Sequence, residues 1–457
     1  MEERIIKRLR EIAGTHNVLT SREELLRYSS DGTRRTALAD AVVLPESSDQ
    51  VAAVARLCTE EGVPLTPRGG GTGLSGGALA LSGGVVLSLT RMKQVREIVP
   101  EDLYVIVEAG MITEELQKIV EAASLFYPPD PASRRSSTIG GDVATSARGL
   151  REPKYGTTRN YLMGLEVVLP TGEIVRTGAR TVKSVAGYDL TRLICGSEGT
   201  LTIITSAILK LIPLPEHRVA ILAVFKELEK AAEVPRNVSL AGVIPSVLEI
   251  MDPAAAGAVS QDIPLPPLPD GCSLILAETD GFRDAAESEA DMVEKVCTDL
   301  GAVFVRKISE QGERERLWDA RRGLLTSLAK LHPVLILEDV HVPRNRVVEI
   351  VHSIADIGEK HGLTIATFGH ASDGNLHPTI LVDDLISDKL EKIEAAISEI
   401  SERALSLGGI VSSEHRIGTG EAGSPRQKIG GEALDVMKRL KSAFDPGGIL
   451  NPGKMFT

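Results

Sequence analysis

The sequence predicts an α+β protein of two principal domains, and three observations carry that expectation. Its 457 residues exceed one ordinary core and suit about two to three domains of ~150 residues. Strand-like apolar runs alternate with amphipathic helical runs along the chain. Prolines at 213 and 215 divide a glycine-rich first part from a second part in which strands and helices alternate. Such a second part fits an α+β domain with one helix-covered sheet face.

Taken in order, residues 1–30 carry helical periodicity and form a helical lead-in. Ala41–Pro45 reads as a strand, and Ser48–Glu61 as a helix opened by a Ser-Ser-Asp cap. A glycine-rich stretch, Pro67–Gly77, precedes a strand at Val85–Leu89; the block 102–127 then reads as strand followed by helix. Beyond Pro128 a polar, glycine-rich segment runs to Tyr161. Met163–Leu169 and Glu173–Arg176 are strands joined by a Pro170-Thr171-Gly172 turn, and the strand Thr200–Lys210 leads into the proline pair. In the second part, strands at 219–225, 273–279, 302–308 and 334–341 alternate with helices at 284–300, 312–331 and 345–361. Asp262–Asp270 is a proline-rich surface loop, and Leu434–Lys454 ends the pattern as a helix followed by FDPGGILNPGK.

Composition excludes some trades. A net charge of -12 and an aromatic share of 3% disfavour a polyanion partner, so no nucleic acid is expected. Cys58, Cys195, Cys272 and Cys297 show neither C-x-x-C nor iron–sulfur spacing, and read as free thiols of a reducing compartment. MEERIIKRLREIAG lacks an apolar signal core, and no apolar run approaches the ~20 residues of a membrane span. The expected location is cytoplasmic, with peripheral membrane association allowed.

Gly71-Thr72-Gly73-Leu74-Ser75-Gly76 matches G-x-G-x-x-G, yet that fingerprint needs a strand before it and a helix after it. Pro64 and Pro67 interrupt the preceding segment, and ALALSGGVVLSL after it reads as loop and strand. A nicotinamide Rossmann domain is therefore disfavoured. What the loop offers is backbone N–H groups, with glycines at 69, 70, 71 and 73 clearing the approach to a phosphate and Arg68 adding charge. Alone, it would be a plain turn. Two further clusters, Ser137–Ala144 and Gly196–Thr200, lie in the same domain. Three such loops suit a large bent ligand with pyrophosphate, ribityl and ring parts.

In the second part, Leu363–Phe368 and Leu376–Val382 read as strands joined through Ala371–Asn375, whose Asp-Gly-Asn is turn chemistry. His370 and His377 then sit at the mouths of paired strands; directly opposed, their Cβ atoms would lie roughly 5 Å apart. Glu414 ends the apolar run 409–413, with His415 directly after it. Two imidazoles and a carboxylate make a catalytic-type metal site with positions left for substrate. Spacing alone favours chance clustering over a metal site.

The motifs PRGGGTGLSGG (67–77), FYPPDPAS (126–133), STIGGDVAT (137–145), KYGTT (154–158), VKSVAGYDLTRLICGSEGTLTIIT (182–205), VPRNR (342–346), FGHASDGNLHP (368–378), SEHRIG (413–418) and FDPGGILNPGK (444–454) follow one another in this order. In them the chain resembles flavoproteins of the vanillyl-alcohol-oxidase type, and within these the branch of the glycolate oxidase D-subunit and FAD-dependent D-lactate (D-2-hydroxyacid) dehydrogenases. The resemblance implies a two-subdomain FAD-binding domain and an α+β cap domain with an antiparallel sheet. The boundaries it suggests are a helical segment at 1–34, the FAD domain at 35–215, the cap at 216–416 and a returning tail at 417–457.

It implies FAD held noncovalently, since no histidine lies in 67–77. The FAD residues would be Pro67, Arg68, Gly69, Gly70, Gly71, Thr72, Gly73, Pro129, Thr138, Gly140, Gly141, Thr145, Gly196, Glu198, Gly199, Thr200, Ile203 and Asn451. A divalent metal (Zn, Mn or Fe) would sit on His370, His377 and Glu414, polarising the substrate hydroxyl while His415 takes its proton. Arg321, within Trp318-Asp319-Ala320-Arg321, would grip the substrate carboxylate; without the resemblance it reads as a surface charge beside Glu315 and Asp319. The reaction implied is oxidation of a small D-2-hydroxy acid of the D-lactate or glycolate class. Electrons would pass to a separate acceptor, an iron–sulfur subunit or electron-transfer flavoprotein, and a homodimer is compatible.

Several positions depart from the family pattern: Asp142, the stretch Ser146-Ala147-Arg148-Gly149, Thr202, Ser372 and Arg416. Arg416, beside His415, would help keep the base neutral, bind a substrate carboxylate or face solvent; a role in the substrate site is the expectation. The rival reading is a catalytically weakened flavin electron-transfer subunit of a larger glycolate or lactate oxidase complex.

Overall fold

Three short, largely buried segments open the first unit as a parallel sheet. Ala41–Val43, Val85–Ser88 and Leu65–Arg68 are neighbours in that order, with Val18–Leu19 antiparallel on the outer edge. Strands covered on both faces need no alternation of apolar and polar residues, and these three are buried almost throughout. The helix Ser48–Glu60 makes the crossover; Ser47 Oγ accepts a 3.3 Å bond from Gln50 N at its start. A second, antiparallel sheet runs Val95–Val99, Tyr104–Glu108, Ile203–Lys210, Leu162–Val168, Ile174–Gly178. The helix Ile139–Thr145 packs against two of its inner strands, Tyr104–Glu108 and Ile203–Lys210.

The structure, a computed structural model, describes residues 1–33, 35–181, 183, 186–263, 269–384, 387–410 and 430–455. They divide into two units: Met1–Gly149, Gly156–Leu214 and the tail 430–455 form one, Leu150–Tyr155 and 215–410 the other.

The second unit is built on an eight-stranded antiparallel sheet. Its order is Phe304–Ile308, His217–Phe225, Ser273–Gly281, Val247–Met251, Thr364–His370, Asn375–Val382, Val334–Leu337, with Val340–His341 also pairing to Asn375–Val382. Register sorts each strand between two cores. Val219, Ile221, Leu248, Ile250, Ile275 and Ile380 face the helices Leu228–Leu240, Arg283–Asp299, Val347–His361 and Ser387–Ser406. Ala220, Leu222, Met251, Leu274, Leu276 and Phe368 face Pro253–Val259, Gln311–Arg322 and Leu324–Leu331.

The expected single helix-covered face is therefore corrected: helices cover both. The helical run predicted at 312–331 is two helices meeting at Gly323. Among the elements that escaped the sequence reading are Ile139–Thr145, Leu228–Leu240, which carries Pro235 inside it, Val247–Met251, Pro253–Val259 and Ser387–Ser406. The lead-in helix, Glu3–Ala13, packs on Ser48–Glu60, where Arg4 pairs with Glu61 at 2.6 Å. Among the described residues no helix is long and apolar enough to cross a membrane.

Candidate active site: a glycine cradle and a histidine hairpin

In the first unit the three glycine clusters come together. The loop after Leu65–Arg68 lies so close to Ser136–Thr138 that a Cβ on Gly70 would stand 2.0 Å from Ser136 O. Thr138 then caps Ile139–Thr145, its Oγ1 accepting from Gly141 N at 3.4 Å. The third loop ties to the same helix through Gly196 N to Val143 O (3.0 Å) and Glu198 N to Ala144 O (2.8 Å). Asn451 joins first and third loops: its Nδ2 donates to Gly77 O at 3.2 Å and to Glu198 O at 2.8 Å. Lys454 Nζ adds bonds to Gly77 O and Asn451 Oδ1, and burial pushes its ammonium down to about 7.

Individual residues take distinct places. Arg68 is turned into the fold, donating to Ser30 O at 2.8 Å and Ala78 O at 3.3 Å, so the loop's offer to an anion is its backbone. Pro67 lies in its strand, and the Pro129 carbonyl accepts from Gln117 Nε2 at 2.8 Å. Ile203 is buried at the start of its strand, whereas Thr145 is exposed. Glu198 Oε2 and Thr202 Oγ1 are buried without a hydrogen-bond partner among the described residues. Close-packed glycine backbone and orphaned polar atoms beside the third loop fit a bound nucleotide cofactor. All four cysteines are free and buried.

In the second unit the histidine hairpin forms as the turn chemistry foretold. Asp373 Oδ1 accepts from Asn375 N at 2.9 Å, and Gly374 takes φ +83° where a Cβ would strike Val342 O. The histidines are not opposed, however. His370 pairs with Asn375 and His377 with Phe368, so the two are diagonal neighbours on one face of the sheet. Their rings still meet edge to face, with centroids 5.6 Å apart.

The same face carries Glu249, directly across from His370 on the neighbouring strand and fully buried. One carboxylate oxygen bonds His370 Nδ1; the other accepts from Arg321 Nε at 2.7 Å. Burial opposes both charges, yet Arg321 and His370 hold the Glu249 carboxyl below its ordinary range. Against the same burial, Glu249 and Asp373 raise His370. Arg321 is 7% exposed and lies 4.9 Å over the Phe368 ring. It is no surface charge. Asp339 Oδ1 stands 3.3 Å from His377 Nδ1. Among the described residues no group of three His, Cys, Asp or Glu donors is set to hold a metal; Glu414, His415 and Arg416 lie outside them.

A family model for the FAD binding domain matches residues 39–178, and one for the C-terminal domain of FAD linked oxidases matches 214–455. The chain belongs to the FAD-linked oxidases. Glycolate oxidase subunit GlcD of Bacillus subtilis (strain 168) is 43% identical over 98% of this chain and 96% of its own length. The D-lactate dehydrogenase of Anaerostipes hadrus is 34% identical over 91% of this chain and 89% of its own. Among solved structures, alkyldihydroxyacetonephosphate synthase superposes with a TM-score of 0.79 at 19% identity, covering 99% of this chain and 86% of that one. For p-cresol methylhydroxylase the TM-score is 0.77 at 18% identity, covering 99% and 96%. These likenesses show the fold, and with it the resemblance read from the motifs holds.

The FAD-linked oxidase thus pairs a cofactor cradle in one unit with a polar cluster buried in the other. Sequence reading missed Glu249 and Asp339. Each left a signal: Glu249 is the one charge in the buried strand VLEIM, and Asp339 closes the apolar run VLIL with Glu338. Lone acids in such runs need partners.

Proposed function

We propose that this oxidase converts a small D-2-hydroxy acid to the 2-oxo acid. One observation carries the reading: two imidazoles 5.6 Å apart stand beside a buried guanidinium on one sheet face. A 2-hydroxy acid presents a hydroxyl next to a carboxylate, and this cluster offers a partner for each. FAD, when bound, supplies the acceptor for the C2 hydride; a divalent cation on His370, His377 and Glu414 would supply Lewis acidity at the hydroxyl.

The chain's own residues do the rest. Arg321 holds the carboxylate through its charge and planar donors. His415 takes the hydroxyl proton as general base, and Arg416, next to it in sequence, serves the substrate site. Backbone of 69–73, 137–141 and 196–200 holds the nucleotide. The glycolate oxidase proteins of Bacillus subtilis and Escherichia coli are named as subunits, which supports electron transfer onward to a partner chain.

Anaerobic mixing tests the reading. Glycolate, D-lactate, L-lactate and D-2-hydroxyglutarate are each added to the yellow protein, and flavin absorbance is followed. Bleaching by D-lactate or glycolate is expected; if none of the four reduces the flavin, the proposal fails.

A further inference from the structure

We infer that Lys454 supplies the positive charge of the cofactor cradle and holds the diphosphate of FAD at the first glycine loop. The inference concerns FAD binding alone and stands whichever acid the protein oxidises.

Three observations carry it. First, the cation expected of that loop is committed elsewhere. Arg68 is buried, donates to Ser30 O and Ala78 O, and lies 5.9 Å over the Tyr28 ring. A phosphate at the loop would have to draw it off two carbonyls. Second, a different cation is brought in from the far end of the chain. Asn451 N donates to Leu65 O at 2.9 Å, pinning the tail beside the strand that leads into the loop. Lys441 fastens the same tail, donating to Thr200 O and to Leu450 O at 2.7 Å each. Lys454 is thereby 4% exposed, its Nζ 2.8 Å from Gly77 O at the end of the first loop and 2.9 Å from Asn451 Oδ1. Third, this ammonium is short of partners. Of its three donors, two go to uncharged oxygens. Among the described residues no carboxylate bonds it; Glu198 and Asp31 act on it only through space. A buried cation without a counter-ion is costly, and one placed beside two glycine loops provides for an anion. FAD brings that anion in its diphosphate, which an ammonium meets as a point charge.

The charge leaves a pH signature. Burial lowers the free protein's ammonium to about 7, against Asp31 and Glu198. A bound diphosphate favours the charged form, so above that value binding takes up a proton that the free protein has released. Affinity is then level below about 7 and falls as pH rises past it. Glu198, on the third loop, and Asp31 are the acids that face Lys454. Their ionisation would repel a diphosphate and so act in the same direction, but would persist without the lysine.

The test titrates apoprotein with FAD by flavin fluorescence quenching at pH values on both sides of the ammonium's own. ADP, which carries a diphosphate without the flavin, serves as competitor. Wild-type affinity should fall about tenfold per pH unit on the alkaline side. Lys454→Met, which keeps the stem, should weaken FAD and ADP alike by about 10- to 100-fold on the acid side, the worth of a charge-assisted bond, and should flatten the profile. Lys454→Arg, charged throughout, should flatten it at the affinity wild type shows in acid. Wild-type FAD affinity in Lys454→Met overturns the inference. So does weaker binding with the wild-type pH slope, the result of a purely structural lysine or of titrating Glu198. Loss of FAD affinity without loss of ADP affinity overturns the diphosphate assignment. If neither variant folds, calorimetry of wild type in buffers of different ionisation heat decides. About one proton should be taken up per FAD on the alkaline side and none on the acid side; no uptake on either side overturns the inference.

Discussion

Gly70 and Gly73 lie three residues apart in one loop yet should fail in different ways when given a methyl group. A Cβ on Gly70 would lie 2.0 Å from Ser136 O and 3.1 Å from Ser136 C, both backbone atoms. Carbon and oxygen prefer well over 3 Å, so loop and neighbour must part by more than an ångström. Overpacking of this kind costs about 1–3 kcal/mol, which in a domain of this size lowers Tm by roughly 2–4 °C per kcal/mol. A Cβ on Gly73 meets no protein atom within 4 Å. Gly73→Ala should therefore leave apoprotein stability unchanged and act only on a ligand that approaches the loop. Loss of one close backbone approach would weaken FAD binding about tenfold, the equivalent of ~1.4 kcal/mol. The assay is thermal melting of the apoprotein beside FAD titration by flavin fluorescence quenching. The argument is refuted if Gly70→Ala apoprotein melts like wild type, or if Gly73→Ala binds FAD with wild-type affinity.

Further outcomes follow from neighbouring residues. Asn451→Ala removes the donor that joins Gly77 O to Glu198 O; two half-buried carbonyls lose a bond each, so FAD release measured by stopped-flow should accelerate severalfold with little change in the second unit. Arg321→Met leaves the Glu249 carboxylate without its arginine and should destabilise by about 3–5 kcal/mol in urea unfolding, while Arg321→Lys should lose less; equal stability of Met and wild type would contradict the pairing. Asp142 carries a pH signature. Burial raises its carboxyl from 3.8 to about 7, against hydroxyl bonds from Thr113 at 2.5 Å and Ser137 at 3.1 Å. The folded state then holds a proton that the unfolded chain releases, so its contribution is full below 3.8 and is lost as pH rises through about 7. Asp142→Asn should flatten the fall of apoprotein Tm between those limits; an unchanged slope would show that this carboxyl is not the source.

How much of this was legible beforehand depended on how local each signal was. Strands such as Ala41–Val43 and His217–Phe225 were read because apolar runs announce themselves. The Asp-Gly-Asn turn was read because only glycine suits the Gly374 backbone at φ +83°. Leu228–Leu240 was missed because Pro235 reads as a breaker, although the helix still forms. The diagonal rather than opposed placement of His370 and His377 was not readable, since register depends on where the turn closes. The partners of Glu249 were unreadable for a different reason: they lie 72 and 121 positions away, and no periodicity encodes them. The glycine motifs likewise announced a cradle without showing that the Arg68 guanidinium would turn inward to Ser30 O and Ala78 O.

One sheet face in the second unit is split between two demands. Leu274, Met251, Phe368 and Leu381 are packed beneath Leu317, Leu324 and Leu328, and this half is ordinary apolar core. Farther along the same strands, Glu278, Glu249 and His370 replace what could have been three more aliphatic side chains. Each finds a charged or polar partner: Trp318 Nε1 donates to Glu278 Oε2 at 2.7 Å, and Arg321 to Glu249. Trp318 and Arg321 come from one helix, three residues apart and so on one side of it. That helix therefore does two things at once: Leu317 seals the apolar half, while Trp318 and Arg321 satisfy the acids of the polar half. A fold selected for stability alone would have extended the apolar half across the face. Buried charges there, each with a named partner, favour the proposed site for a small anionic substrate, because an arginine already held in place would lose little freedom on taking up a carboxylate.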